Sequence, residues 1–221
     1  MVLIGASWGG TLAAQYMAQY PERVAKAILV SPGAIEPAEW VGKDGGSILS
    51  NLPAEKRKRL QTLISGGRMG IALRLAAINP VAAHRFLPDA EIDSFIRWWL
   101  RDAFVGALCS GGSASSSGDP CLSAGQWSNI MTVLDSQTHR SEARKKLGRN
   151  PTPVLVLSGE CNYVPWPMTH EYAGTLPNAK IVVVPGAGHV IVADRPELYY
   201  KLVRSYLLDQ PLSLPFYAGR N

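Results

Sequence analysis

The chain has 221 residues, of which 47% are hydrophobic and 18% charged, proportions that suit one globular domain or a domain with an insertion. The net charge is +5, and the densest basic runs, at 55–59 and 142–149, lack interleaved aromatic residues and any nucleic-acid-binding motif. Because the chain also has no apolar run of about 20 residues and no basic-then-apolar leader, we expect a cytoplasmic protein that binds neither nucleic acid nor membrane.

The first segments predict a strand, a helix and a second strand. Met1–Ile4 is a short apolar run typical of a buried strand, and helical spacing over Thr11–Tyr20 stops before Pro21. Ala25–Val30 is continuously apolar and is closed by Ser-Pro-Gly, which favours a second buried strand.

The last third of the chain repeats this alternation. Pro153–Leu157 and Lys180–Val184 are apolar, β-branched runs that end at turn residues, and helical patterns cover Pro165–Leu176 and Arg195–Leu208. Strands that alternate with helices predict an α/β fold with a parallel sheet.

The region between these two parts has no comparable strand. Apolar residues at helical spacing occur there in four segments, Lys56–Ile64, Met69–Ile78, Ala90–Leu108 and Trp127–Leu134. We therefore predict a core formed by 1–34 and 151–208, a helical cap over 35–150 above the carboxyl edge of the sheet, and a tail at 209–221. The serine-rich segment Ser110–Gly118 is expected to be a mobile loop.

A Gly-x-Ser-x-Gly motif, Gly5-Ala6-Ser7-Trp8-Gly9, lies between the first strand and the first helix. In this context it resembles the nucleophile elbow of the α/β-hydrolase fold. A sharp turn from strand to helix strains the serine and leaves room for small residues alone at the two flanking glycines. It also presents the hydroxyl at a helix N-terminus, where backbone amides favour a developing anion.

Two later segments extend the resemblance. Gly186-Ala187-Gly188-His189 follows the last strand, where this superfamily carries its catalytic histidine, and Pro153–Pro165 resembles the strand and loop that carry the catalytic acid. The order of nucleophile, acid position and histidine also agrees. Within the superfamily, Ser7–Ala13 and Tyr20–Val24 are most similar to the prolyl aminopeptidase (proline iminopeptidase) branch.

The resemblance implies a role for each matching residue. Ser7 would be the nucleophile, His189 the general base and then acid, and the backbone N–H of Trp8 one oxyanion donor. Such acyl transfer requires no metal and no organic cofactor, and the four histidines and three cysteines show no metal-ligand spacing.

The acid position departs from the family pattern. Where the family has Gly-x-x-Asp, this chain has Gly159-Glu160-Cys161-Asn162. An asparagine can orient an imidazole, but it carries no charge to stabilise the imidazolium and can favour the wrong tautomer. Glu160 is an alternative candidate for the catalytic acid, and Glu36 is a more remote candidate. If none of these residues serves as the acid, the chain would be a catalytically impaired remnant.

The chain also starts differently from a complete family member. Met1 begins inside the elbow strand, so the resemblance implies that the first strands of the sheet, and the loop that donates the second oxyanion amide, are missing. The strand at Val2, Leu3 and Ile4 would then have an open edge, which predicts possible self-association through that edge.

The substrate is expected to be a small molecule or short peptide with a peptide or ester bond. A peptidase would need carboxylates for the substrate's ammonium group, and the candidates are Glu36, Glu39, Asp44, Glu91 and Asp93. A carboxylesterase or lipase would instead need an apolar pocket, for which the cap offers Trp98, Trp99 and Phe104.

Two cysteines, Cys109 and Cys121, bracket the serine-rich segment. They could form a bridge in an oxidising compartment, but the expected cytoplasmic location favours free thiols.

Overall fold

The structure is a computed structural model that describes residues 1–43, 46–109 and 125–219. Its strands are β1 (Val2–Ala6), β2 (Lys26–Val30), β3 (Val154–Gly159) and β4 (Ala179–Val184). Its α-helices are α1 (Trp8–Gln19), α2 (Ala54–Ser65), α3 (Gly67–Ala76), α4 (Pro80–Phe86), α5 (Asp89–Ala103), α6 (Gln126–Thr138), α7 (Ala143–Leu147), α8 (Trp166–Thr175), α9 (Ile191–Asp194) and α10 (Pro196–Leu207). Short 3₁₀ helices occur at Pro21–Arg23, Pro37–Trp40 and Phe104–Ala107.

The four strands form one parallel sheet in the order β1-β2-β3-β4. Strands that are covered on both faces need apolar side chains on both sides, which explains the continuous apolar runs of β2, β3 and β4. The predicted parallel α/β sheet is confirmed, and the carboxyl ends of all four strands lie along the same edge.

Helices cover both faces of this sheet. One apolar core joins α1, α7 and α8 to the face that carries Leu29 and Val156, and includes the fully buried Met17 and Tyr172. The other core joins α9 and α10 to the opposite face, which carries Ile28, Leu155 and Leu157. The result is a helix–sheet–helix arrangement in which the sheet fixes where each strand ends.

β1 lies at one end of the sheet and differs from the other strands. It pairs with β2, and Val2 and Ile4 are 47% and 51% exposed. The prediction that Met1–Ile4 is a buried strand is therefore wrong at these side chains, because no described element covers this face of the edge strand. At the other end, the Tyr217 N–H donates to the Ile181 carbonyl at 2.8 Å, which ties the C-terminal tail to β4.

The described residues divide into two compact units. The sheet unit holds residues 1–43, 46–47, 107–109 and 140–219, and the helical unit holds 48–106 and 125–139. The helical unit has its own apolar cores around Met69, Ile92 and Trp99. The helical unit is shorter than the cap predicted over 35–150. Ile35 and Leu147, near the two ends of that range, are buried in a core of the sheet unit.

Several elements differ in detail from their prediction. Two short helices, α4 and α7, were not predicted, and the closing helix is preceded by the separate helix α9. The segment predicted as a mobile loop, Ser110–Gly118, lies outside the described residues. No helix among the described residues combines the length and the apolar character needed to cross a bilayer.

Candidate active site

Ser7 occupies the turn between β1 and α1. Its backbone has φ 52° and ψ −121°, a conformation that costs a non-glycine residue about 1–3 kcal/mol. The Ser7 N–H donates to the Val30 carbonyl at 2.9 Å, and the Ser7 carbonyl accepts from Gly10 and Gly33 at 2.9 and 3.2 Å. The turn is therefore anchored to β2 and to the loop that follows β2.

The glycines around Ser7 serve different purposes. A Cβ atom at Gly5 would lie 2.3 Å from the Gly9 carbonyl oxygen, and one at Gly10 would lie 2.7 Å from Pro32. A Cβ atom at Gly9 would meet no described atom within 4 Å beyond its chain neighbours and the backbone of α1 itself. The expectation that both glycines flanking Ser7 are required by space therefore holds for Gly5 but is wrong for Gly9.

The N-terminus of α1 faces the same turn. Trp8 is the first residue of α1, and its N–H has no hydrogen-bond acceptor among the described residues. An unpaired N–H at a helix N-terminus is a donor available to an anion.

His189 lies in the loop that follows β4. Its N–H donates to the Ala107 carbonyl at 2.7 Å, and the preceding Gly188 N–H donates to the Asp194 carboxylate at 2.7 Å. A Cβ atom at Gly188 would lie 2.4 Å from the Ala107 carbonyl oxygen, so this close approach requires a glycine. The loop thus holds a histidine that is 8% exposed.

Asn162 contacts the imidazole of His189. The Asn162 Oδ1 atom lies 2.9 Å from His189 Nδ1 and also accepts the Val164 N–H at 3.2 Å, while its Nδ2 donates to Ser158 at 3.4 Å. Because a backbone N–H can only donate, the Val164 contact identifies the atom facing His189 as the amide oxygen. His189 Nδ1 must then carry the proton, and Nε2 keeps its lone pair.

This arrangement corrects one sequence expectation. The concern that Asn162 favours the wrong histidine tautomer does not apply, since its oxygen and not its NH₂ group faces Nδ1. The absence of a charge remains, and burial lowers the pKa of His189 to about 4. His189 is therefore neutral at physiological pH.

Tyr163 lies against both predicted catalytic residues. Its ring stacks on the His189 imidazole with centroids 4.4 Å apart and an angle of 30° between planes. Its hydroxyl lies close to the Ser7 side chain, and burial raises the pKa of Tyr163 to about 12. Ser7 and His189 thus share this neighbour, which the sequence did not single out.

The two alternative acids lie elsewhere in the sheet unit. The Glu160 carboxylate accepts the Gly186 N–H at 2.9 Å. The buried Glu36 carboxylate accepts the hydroxyl and N–H of Ser141 at 2.7 and 3.1 Å. The structure brings Asn162, and neither glutamate, to His189 Nδ1.

The acidic residues considered for a substrate's ammonium group also have partners of their own. In the sheet unit, Glu39 pairs with Arg144 at 2.8 Å. In the helical unit, Glu91 pairs with Arg68 at 2.9 Å, and Asp93 accepts the Gln126 N–H at 3.1 Å. With Glu36 on Ser141, four of the five candidates are engaged, and the fifth, Asp44, lies outside the described residues.

Two of the aromatic residues considered for an ester pocket pack in a core of the helical unit. Trp99 is 8% exposed, and its indole N–H donates to the Leu60 carbonyl at 3.0 Å. Trp98 packs against the same core of the helical unit.

Cys109 is bonded to Cys161, with Cα atoms 5.1 Å apart. The expectation of free thiols, or of a Cys109–Cys121 bridge, is therefore wrong for Cys109. The backbone holds both cysteines beside the segment that carries His189: the Cys161 N–H donates to the Ala187 carbonyl at 2.9 Å, and the Cys109 N–H donates to the Asp194 carboxylate at 3.1 Å. Cys121 lies outside the described residues.

Comparison with known proteins gives a family model that covers nearly the whole chain. The model of the alpha/beta hydrolase family matches residues 2–202. The chain belongs to the alpha/beta hydrolase family.

Individual members of this family are more distant from the chain. The abhydrolase domain-containing protein abhd-5.2 of Caenorhabditis elegans is 24% identical over 213 residues, which are 95% of this chain and 43% of that protein. The human (lyso)-N-acylphosphatidylethanolamine lipase is 24% identical over 212 residues, which are 92% of this chain and 57% of the lipase. The chain thus spans about half the length of these curated relatives.

Solved structures of the family share the fold. A thermophilic esterase from Thermogutta terrifontis superposes with a TM-score of 0.52 and 21% identity, covering 95% of this chain and 65% of the esterase.

Proposed function

We propose that this chain is a serine hydrolase that cleaves a carboxylic ester by acyl transfer. Ser7 is the nucleophile, His189 is the general base, and Trp8 provides an oxyanion donor through its backbone N–H. The observation that carries the proposal is the contact of His189 Nδ1 with the amide oxygen of Asn162 at 2.9 Å, from which we infer a proton on Nδ1 and a lone pair on Nε2. The strained turn at Ser7, in a member of the alpha/beta hydrolase family, supports it further.

The reaction proceeds in two halves. The Ser7 oxygen attacks the ester carbonyl carbon while its proton passes to His189 Nε2, and the negative oxygen that forms accepts the Trp8 N–H. When the carbon–oxygen bond of the leaving group breaks, the alcohol takes the proton from His189. Water then attacks the acyl-enzyme by the same proton transfers and releases the acid and free Ser7.

An ester is favoured over a peptide for two reasons. Glu36, Glu39, Glu91 and Asp93 each have a partner within the chain, so binding a substrate's ammonium group would compete with an existing contact. The relatives also include a lipase, and the fold neighbours an esterase.

A prolyl aminopeptidase is the second candidate. It is favoured by the likeness of Ser7–Ala13 and Tyr20–Val24 to that branch. Its substrates have an N-terminal ammonium group, so the two candidates differ in a property that an assay can separate.

The test compares p-nitrophenyl acetate and butyrate with proline naphthylamide. We expect hydrolysis of the esters alone, abolished in Ser7→Ala and retained in Ser65→Ala, a control serine exposed on α2. Hydrolysis of the naphthylamide would favour the peptidase. Equal ester rates in Ser7→Ala and the natural sequence would exclude Ser7, and a folded protein inert toward every substrate would favour a catalytically impaired remnant.

A further inference from the structure

The proposed reaction places a positive charge on His189 in a setting with little to stabilise it. The ring is buried and its Nδ1 partner is the neutral amide of Asn162. Carboxylates on the neighbouring segments bind backbone N–H groups and not the imidazole: Asp194 of α9 accepts two and Glu160 accepts one. Among the described residues, His189 forms no ion pair.

The ring of Tyr163 stacks on the face of the His189 imidazole. The centroid separation of 4.4 Å lies within the distance of about 6 Å at which an aromatic face attracts a cation. The two planes are inclined by 30°, so the face of the phenol ring is turned toward the imidazole. Attraction between a ring face and a cation is strongest where water is excluded, and His189 is 8% exposed.

The backbone fixes this stack in place. Tyr163 follows Asn162, whose oxygen holds His189 Nδ1, and Cys161 before them is bonded to Cys109. Consecutive residues therefore control the orientation of the imidazole through a hydrogen bond to its edge and a contact with its face.

We propose that Tyr163 is a positioning residue whose ring face orients the His189 imidazole and stabilises its imidazolium in the transition state. The role of Tyr163 in the reaction rests on the proposed function, whereas the contact between its ring and the His189 imidazole does not. The phenol stays neutral over the working range, because burial raises the pKa of Tyr163 to about 12.

The experiment replaces Tyr163 with phenylalanine and with mono-, di- and trifluorophenylalanine by nonsense suppression. Fluorine withdraws charge from the ring face with little change in size, so burial of His189 is matched across the series. Titration of His189 is followed by NMR in the natural background and in Asn162→Asp, where a carboxylate raises the midpoint and separates it from acid unfolding.

We expect Tyr163→Phe to keep the His189 midpoint within about 0.3 pH unit, and the trifluoro ring to lower it by about 0.5–1 pH unit. The same fluorinated residues at Tyr200, 62% exposed on α10, should leave it unchanged. A midpoint that does not depend on fluorination at 163 would overturn the proposal.

Ester kinetics supply the second readout. We expect kcat to fall about 2- to 5-fold from phenylalanine to the trifluoro ring, with KM unchanged. A fluorine-dependent titration with a constant kcat would limit Tyr163 to a structural role and overturn its assignment to the reaction. A fluorine-dependent titration in a protein that hydrolyses no ester would instead count against the proposed function.

Discussion

Asn162→Asp places a carboxylate on the Nδ1 atom of His189, at the 2.9 Å now spanned by the amide oxygen. The Val164 N–H, which donates to that oxygen at 3.2 Å, and the Ser158 hydroxyl, 3.4 Å from the amide nitrogen, can both donate to the new carboxylate. The substitution therefore changes the charge at this position while keeping the hydrogen-bond geometry.

The magnitude follows from the charges and their surroundings. Two unit charges about 4 Å apart attract by about 4 kcal/mol at an effective dielectric constant of about 20. Desolvation of the carboxylate offsets part of this, which leaves about 1.5–3 kcal/mol. We therefore expect the pKa of His189 to rise by about 1–2 pH units from its present value of about 4.

The expected gain in kcat for p-nitrophenyl butyrate is about 10- to 100-fold. It is smaller than the ~10⁴-fold effect of the reverse change in a serine protease, where the tautomer is also wrong. Because the general base must be neutral, activity should increase with pH through the pKa of His189, and this rise should move to higher pH in the variant.

The control is Asn129→Asp, which adds the same charge at an exposed asparagine of α6. It should change neither the rate nor the titration of His189. An Asn162→Asp variant with an unchanged rate, or with an unchanged His189 titration, would refute the assignment of this residue to the acid position.

Further predictions concern stability and association. Gly5→Ala should lower the free energy of unfolding by about 3 kcal/mol, because its Cβ atom would meet the Gly9 carbonyl oxygen. Gly9→Ala should be neutral or stabilising by up to about 1 kcal/mol. Equal urea midpoints for the two variants would contradict this. Cys161→Ser, or reduction with dithiothreitol, should lower the free energy of unfolding by about 2–4 kcal/mol, and an unchanged midpoint under reducing conditions would count against the disulfide. Because His189 is less easily protonated in the folded than in the unfolded state, the free energy of unfolding should fall by about 3 kcal/mol as pH falls from 6.5 to 4. Urea titrations at several pH values should show a smaller loss of stability in His189→Gln over this range. Finally, Ile4→Lys at the exposed edge of β1 should weaken any self-association seen by sedimentation velocity, and an association constant unaffected by this charge would exclude the edge as the interface.

The sheet and the elbow could be predicted because their signals are local. The apolar runs of β2, β3 and β4 and the spacing of glycines around Ser7 encode the strand ends and the turn within a few neighbouring residues. The prediction that β1 is buried is wrong at Val2 and Ile4, because burial depends on which elements cover a strand and not on the composition of the strand.

Contacts between distant segments carried no comparable signal. Nothing in the sequence pairs Cys109 with Cys161, and nothing distinguishes Tyr163 from other loop tyrosines. The tautomer of His189 follows from the backbone N–H of Val164, which orients the Asn162 amide. Every residue except proline has such an N–H group, so the sequence does not mark this one. Such features follow from where the loops converge, and they decide the chemistry of the site.

The central claim is that the Ser7 hydroxyl is a nucleophile activated by His189. A fluorophosphonate probe, followed by peptide mapping with mass spectrometry, tests it directly because the probe reacts with activated serines. We expect one phosphonylated peptide, 1–23 or a fragment of it that contains Ser7, and loss of most labelling in His189→Ala. Folded protein that is not labelled, that is labelled at another serine, or that is labelled equally in His189→Ala would contradict it.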